Sequence, residues 1–453
     1  GKPAAFVYNH FMNEIVLNGD VKTILQLLSS SGFEAFIVGG CVRDILLNTE
    51  PKDYDITTNA NTREIKDVFR DYHVIETGIK HGTVTVMINH VGYEITTYRI
   101  DSDYPDHRHP SKVTFTGKLE YDLARRDFTI NAMAYSEKTG IIDLYEGIND
   151  LKNGIIRCVG DPAKRFEEDA LRILRCLRFA SRLNFEIDSV TRKALFEKKD
   201  LLNFISCERI LSEFNEIICT RQADRYLDEY RDVITVFLPE IKVMFDFDQN
   251  NRHHCYDLWQ HTLHVIKNVS PSLDLRWAAL FHDLGKYYTV TKGEDGQSHF
   301  YNHPRVSAEM AAVILERLRM DKKTASIIND LIFYHDYHIE TRRSMKKVLQ
   351  KIGFEEMEKL IELKKADNLA QDARYYRGDD YFHNLITQMN DIKTKNDAIN
   401  VSDLTVNGSD LMELGLRNRE IGNMLNRLLE EVMADRLSNE KEQLLNYVKR
   451  NSQ

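Results

Sequence analysis

The sequence predicts an α+β fold in which a mixed-sheet head is followed by helical domains. Strand-like alternation clusters in the first 150 residues, helical periodicity dominates from about residue 162 onward, and turn signals in that second part are few. In order, Val21 to Leu28 reads as a helix with Asp20 as its N-cap and Gly32 near its end. EAFIV then reads as a strand running into Gly39-Gly40. TVTVMI (83–88) and YEITTYRI (93–100) alternate on either side of NHVG, the pattern of a hairpin. YHVIETG and SDYPDHRHPSKVTF read as irregular, strand-linking pieces. The boundaries drawn are a head over 1–150, a helical neck and body over 151–245, a histidine-bearing domain over 246–375 and a helical tail over 376–453.

A chain of 453 residues with 42% hydrophobic content has enough apolar side chain for several cores. Its formal charge of −9 differs from the basic balance common in nucleic-acid-binding domains, so contact with nucleic acid must come from local basic faces. No run of ~18 apolar residues would cross a membrane, and the start of the chain has no signal-peptide pattern, so a cytoplasmic protein is expected. The six cysteines form no CxxC pair and read as reduced and structural.

Chemistry concentrates first in VGGCVRDILLNTEPKDYDI (38–56). In a strand, Asp53 and Asp55 would turn both carboxylates to one side and Tyr54 to the other. Two carboxylates suit Mg²⁺, which completes its shell with water and substrate phosphates. Gly39-Gly40, between strand and helix, would let backbone N–H groups approach a phosphate, and Arg43 would neutralise it. Asp-x-Asp alone is more often a solvated loop. The surrounding arrangement favours the metal.

Strand, Gly39-Gly40, Arg43-Asp44 and Asp53/Asp55, in this order, resemble the nucleotidyltransferase superfamily that includes DNA polymerase beta. With RRDFTINAMAY (125–135) and RFEEDALRILRCLRFASRL (165–183), the series resembles the class II tRNA nucleotidyltransferases: the bacterial and eukaryotic CCA-adding enzymes and their poly(A) polymerase relatives. The likeness extends to LTVNGSDLMELGL near the end, and departs at RNRE (417–420), where relatives often carry glycine. It implies a polymerase-beta-like head with two Mg²⁺ at Asp53 and Asp55 and a third carboxylate at Glu94. It also implies nucleotide contacts from Arg126 and Asp127, with Asn131 supporting that turn. The partners implied are tRNA, CTP and ATP, with neither DNA nor a membrane.

Within that family, Asp169 and Arg172, three apart on one helix, would act as a unit. Cytosine and adenine both present an amino donor beside a ring-nitrogen acceptor; guanine and uracil reverse the order. A carboxylate and a guanidinium would fit C or A and leave unpaired groups against G or U. Arg172, Arg175, Arg178 and Arg182 continue as a basic stripe for triphosphate and RNA. CERILSEF (207–214) resembles the last family motif, with Glu208 and Arg209 as braces. The loop after the second metal strand keeps Asp106, Arg108 and Pro110 in the family's D-x-R-x-P pattern, which favours full CCA addition, with A-only addition as the alternative.

A second constellation is His261, His282-Asp283, His303, His335 and Asp367, the pattern of the HD metal-dependent phosphohydrolases. Imidazole and carboxylate suit a transition metal with open positions for water and phosphate. Lys286, three residues beyond Asp283, either touches a phosphate or faces solvent. The family implies a repair substrate such as a cyclic-phosphate or 2′-phosphate RNA end. A phosphohydrolase with an inactive head is therefore the rival reading.

Overall fold

Asn18 caps the first helix, α1 (Gly19–Ser30), by accepting from the backbone N–H of Asp20. Asp20, expected as the cap, lies inside the first turn, where its carboxylate accepts from Asn89 and the Tyr93 hydroxyl. The computed structural model describes residues 15–76, 82–102, 112–251, 255–294 and 296–451. One unit comprises residues up to Ile217 with Asp232–Phe237, and the other comprises Ile218–Arg231 with Leu238 onward.

In the first unit, β1 (Ala35–Val38) leads through Gly39 into α2 (Gly40–Leu46), and β2 (Asp55–Thr58) follows. After α3 (Thr62–Val68) come β3 (His73–Ile75), β4 (Thr83–Ile88) and β5 (Val91–Thr97). β4 and β5 form the expected hairpin, turning through Asn89 and His90, both at positive φ. β6 (Arg99–Ser102) and β7 (Lys112–Phe115) pair separately. α4 (Leu119–Ala124) then leads to β8 (Met133–Ser136) and β9 (Gly140–Asp143). The seven-stranded sheet has the order β3-β4-β5-β2-β1-β8-β9 and is mixed because β2 and β5 run parallel. Val21, Ile24 and Leu28 of α1 pack with Ile37, Ile56, Val84, Val86 and Ile95 from the sheet. Burying each such side chain contributes about 1.5–3 kcal/mol, which sets the height of β2 and therefore of Asp55.

α5 (Gly147–Asn153) and the short pair β10 (Ile155–Ile156) and β11 (Glu186–Ile187) bracket α6 (Pro162–Glu168) and α7 (Leu171–Leu183). α7 is amphipathic: Ile173, Leu174 and Leu177 are buried, and arginines run along it. α8 (Ser189–Lys198) and α9 (Cys207–Ile218) follow, then α10 (Ala223–Glu229) and α11 (Arg231–Ile234).

Among its described residues the second unit is helical apart from one hairpin. α12 (Leu258–Asn268), α13 (Leu273–Phe281) and α14 (Lys286–Thr289) precede β12 (Val290–Lys292) and β13 (Ser298–Phe300). α15 (His303–Arg317), α16 (Lys322–Tyr334) and α17 (Arg342–Leu369) complete the part that carries the histidines. α17 is kinked at Gly353, whose φ of 76° no helical residue adopts. α18 (Asp379–Thr394), α19 (Gly408–Glu413), α20 (Arg419–Met433) and α21 (Lys441–Asn451) form the tail, where Leu411, Leu428 and Leu444 share a core.

Candidate functional site

β2 begins at Asp55 itself, so Asp53 stands in the turn before the strand and not within it. The expected two-residue strand alternation therefore does not place the pair. Both aspartates nevertheless line one cavity of about 400 Å³, together with Gly39, Gly40, Arg43, Arg126, Asp127, Asn131, Arg175 and Arg178. Glu94 is the register partner of Asp55 across the parallel pair, so the two carboxylates stand on the same face of adjacent strands. Surrounding protein that strips water from Asp55, together with repulsion from Asp53, raises its carboxyl above the ordinary 3.8 against the pull of Arg126 and Arg125. An excess of close negative charge of this kind fits a divalent cation.

The opposite wall is a chain of polar contacts. Buried Arg43 donates from Nη1 to Asn131 Oδ1 at 2.6 Å and from Nε and Nη2 to Asp44 Oδ1. Asn131 Nδ2 donates to Asp127 Oδ1 at 3.1 Å, and Arg175 donates from Nε and Nη2 to Asp127 Oδ2 at 2.9 and 2.6 Å. Burial works against the Asp127 charge, but Arg175 more than offsets it and holds the carboxyl down at about 2. The guanidinium groups of Arg43, Arg175 and Arg178 all lie 4.5–5.4 Å from the Phe179 ring. Gly39, at φ +81°, opens α2, and a Cβ there would come within 2.8 Å of Arg126 Nη1. Asp122, fully buried, holds Arg126 and Arg125 from behind.

In the second unit the six predicted ligands converge. Asp283 Oδ2 lies 3.3 and 3.2 Å from Nε2 of His261 and His282, and Oδ1 lies 3.1 and 3.5 Å from Nε2 of His303 and His335. Asp367 Oδ1 approaches His261 Nε2 at 3.0 Å. Two ligand sets thus share Asp283: His261, His282 and Asp367 on one side, His303 and His335 on the other. Each Nδ1 faces a carbonyl, that of Ala370, Ala279, Phe300 or Ile332. A carbonyl only accepts, so Nδ1 carries the proton and Nε2 is the ligand atom. His282 and His335 follow the last turns of α13 and α16, and their Nδ1 atoms face carbonyls of those last turns, Ala279 and Ile332. Four imidazoles and two carboxylates aimed at one another fit one or two transition-metal ions. Burial opposes charge on His261, but Asp283 and Asp367 more than offset it and raise the ring to about 9.

Residues 35–157 match the poly A polymerase head domain, 184–244 the probable RNA and SrmB-binding site of polymerase A, and 257–373 the HD domain. The CCA-adding enzyme of Pediococcus pentosaceus is 48% identical over 221 residues, 49% of this chain and 54% of that protein. The CCA-adding enzyme of Lactobacillus helveticus is 52% identical over 191 residues, 42% of this chain and 47% of that protein. Over these stretches the chain is similar to the poly(A) polymerases and CCA-adding enzymes. It spans about half the length of these curated relatives. The Bacillus stearothermophilus CCA-adding enzyme in complex with CTP superposes with a TM-score of 0.70 at 26% identity, over 95% of this chain and 96% of that one. The Thermotoga maritima CCA-adding enzyme complexed with tRNA shares the fold, with a TM-score of 0.62 at 19% identity over 96% and 97%.

The family's expected base-reading pair is not assembled in this structure. Asp169 is extended (φ −139°, ψ 102°) between α6 and α7, where its carboxylate accepts from Leu171 N and meets Arg209 Nη2. The short side chain caps the start of α7 instead of continuing a helix. Arg172 is buried against Glu168 Oε2 at 2.6 Å and the carbonyls of Arg165 and Arg125. Neither lines the cavity, whereas Arg175, Arg178 and Arg182 of the stripe do. Arg178 also pairs with Glu213, a partner that the sequence pattern did not single out. Asp106 and Arg108 lie outside the described residues. Lys286 is buried rather than solvent-facing, 2.7 Å from Asp283 Oδ2.

Proposed function

We propose that the chain is a template-independent RNA nucleotidyltransferase that adds C, C and then A to tRNA 3′ ends from CTP and ATP, releasing pyrophosphate. The reading is carried by the single cavity that joins Asp53 and Asp55 to the Arg43–Asn131–Asp127–Arg175 chain. Mg²⁺ bound at Asp53 and Asp55, with Glu94 beside them, would supply positive charge for the attacking and leaving oxygens. Arg43, Arg175 and Arg178 would hold the triphosphate, and Gly39-Gly40 would let backbone N–H groups approach it. Asp127 would meet the ribose while Asn131 keeps it in register with Arg43. A bond forms between the RNA 3′ oxygen and the α-phosphorus as the bond to pyrophosphate breaks. Asp169 and Arg172 would read the base after leaving Arg209 and Glu168.

Incubating the chain with tRNA transcripts ending before CCA, after C and after CC, with labelled CTP and ATP, tests this. Incorporation on all three is expected. Incorporation only on the CC-ending transcript would establish A addition alone. No helix among the described residues is long and apolar enough to cross a membrane, and action in the cytoplasm is part of the proposal.

The convergent histidine–aspartate cluster favours a second activity, a metal-dependent phosphohydrolase. Loss of bound metal and of phosphate release in His261→Ala is the expected result.

A further inference from the structure

A cavity of about 250 Å³ opens beside the histidine–aspartate cluster, and His335 and Asp367 belong to both. Its remaining wall has a chemistry that metal binding does not explain. Lys364 precedes Asp367 by three residues on α17, so the two side chains share a helix face. Its Nζ donates to the carbonyls of His335 at 2.7 Å and Tyr337 at 2.9 Å, two bonds for an ammonium with three donors. Arg377, across the cavity, donates from Nη1 to the Tyr381 hydroxyl at 2.8 Å, and its guanidinium lies 4.9 Å from that ring. The backbone N–H of Arg377 donates to Asn368 Oδ1 at 2.9 Å, which ties the segment carrying it to α17 one residue after Asp367. Two cations, an amide and an aromatic ring therefore border the exposed side of a metal ligand.

We infer that this cavity is the substrate-holding side of the second site and takes a nucleoside phosphate, either free or as the end of an RNA. Lys364 and Arg377 hold the phosphate oxygens, and Tyr381 offers a face to the ring. This rests on the phosphohydrolase reading. In the reaction a water oxygen bonds to phosphorus, the phosphorus–ester oxygen bond breaks, and the freed alcohol takes a proton, giving inorganic phosphate. Fixed cations suit that step because they meet charge already on the phosphate without having to be reorganised. Lys364 and Arg377 are binding residues: they act on the substrate, while the metal ligands remain Asp283, Asp367 and the histidines.

The test uses the full chain and 8-azidoadenosine 5′-monophosphate as a photolabel, with labelled peptides mapped by mass spectrometry on the metal-free protein. Label is expected within residues 364–382. It should fall about tenfold in Lys364→Met and in Arg377→Gln, since each removes a charge-assisted contact. Arg377 is exposed, so its variant should fold even if loss of the Lys364 contacts disturbs α17. Manganese bound per chain after reloading should be unchanged in both. Absence of label in that segment, or labelling undiminished in both variants, would overturn the inference. Failure of the underlying reading has a different signature: no bound manganese, or bound manganese that His282→Ala leaves intact. Adenosine monophosphate and a short oligoribonucleotide ending in a phosphate serve as competitors. Displacement by the first alone identifies a free nucleotide, displacement by the second an RNA end, and displacement by neither refutes the assignment.

Discussion

Replacing Asp127 by asparagine should remove a specific, pH-dependent part of the stability around α7. The carboxyl is buried, accepts two bonds from Arg175, and falls from an ordinary 3.8 to about 2. That shift corresponds to roughly 2.5 kcal/mol favouring the folded state when the group is ionised. Because the folded value lies below the unfolded one, this stability is fully present above the unfolded value of 3.8. It is lost as pH falls from about 4 towards 2. An amide at the same place titrates nowhere in that window. Hydrogen exchange of α7 peptides, read by mass spectrometry from pH 7 to pH 2.5, should show wild-type protection falling towards that of Asp127→Asn as acid is added. The variant's remaining deficit reflects the unpaired Arg175. A difference between the two proteins that stays constant across the range would refute the assignment of the shift to this ion pair.

Asp55→Asn should reduce nucleotide incorporation by at least about 10²-fold while leaving the thermal midpoint nearly unchanged, which calorimetry checks. Gly39→Ala forces a side chain into a left-handed conformation and against Arg126, so a loss of about 1–2 kcal/mol and a raised KM for both nucleotides are expected. Arg172→Lys removes the planar donor pair and should narrow the preference for CTP and ATP over GTP and UTP by about 1–3 kcal/mol, read from kcat/KM ratios. His303→Ala should lower the number of metal ions bound per chain and leave tRNA extension intact, since His303 belongs to the second unit.

Features whose physics is local were the legible ones. The alternation of TVTVMI and YEITTYRI produces a hairpin because period-two burial needs only neighbouring strands. Gly39 stands between strand and helix as its sequence position suggested, at a positive φ that a glycine adopts without strain. The six residues of the second cluster were legible through the resemblance of their pattern to the HD phosphohydrolases, and folding brings all six within reach. What failed was inference by spacing across a break. Asp169 and Arg172 are three apart, but a short acidic side chain at a helix start competes for backbone N–H groups, and that local bond ends one helix before the other begins. Asp53 likewise sits outside β2, in the bend with Lys52 that precedes the strand. Lys364 and Arg377 had no motif to announce them; helical spacing sets Lys364 beside Asp367, and the segment after α17 brings Arg377 to the same cavity.

The separation of Asp169 from Arg172 bears on how a base would be selected. Asp169 already pairs with Arg209, and buried Arg172 pairs with Glu168 and also donates to the carbonyls of Arg165 and Arg125, while water still reaches part of each ion pair. Pairs of that kind hold by about 1 kcal/mol or less when water reaches them. Under the proposed mechanism cytosine or adenine would offer both groups a matched donor and acceptor in exchange for the ion-pair partners, and the triphosphate contacts would offset the carbonyl bonds that Arg172 gives up. Guanine or uracil breaks the same two pairs and returns an unmatched donor and acceptor, each costing about 1–3 kcal/mol when desolvated. The resting ion pairs therefore add little to selectivity by themselves. Under the proposed mechanism they would hold the charges satisfied until a base of the right pattern arrives, and discrimination would rest on what the wrong base leaves unpaired.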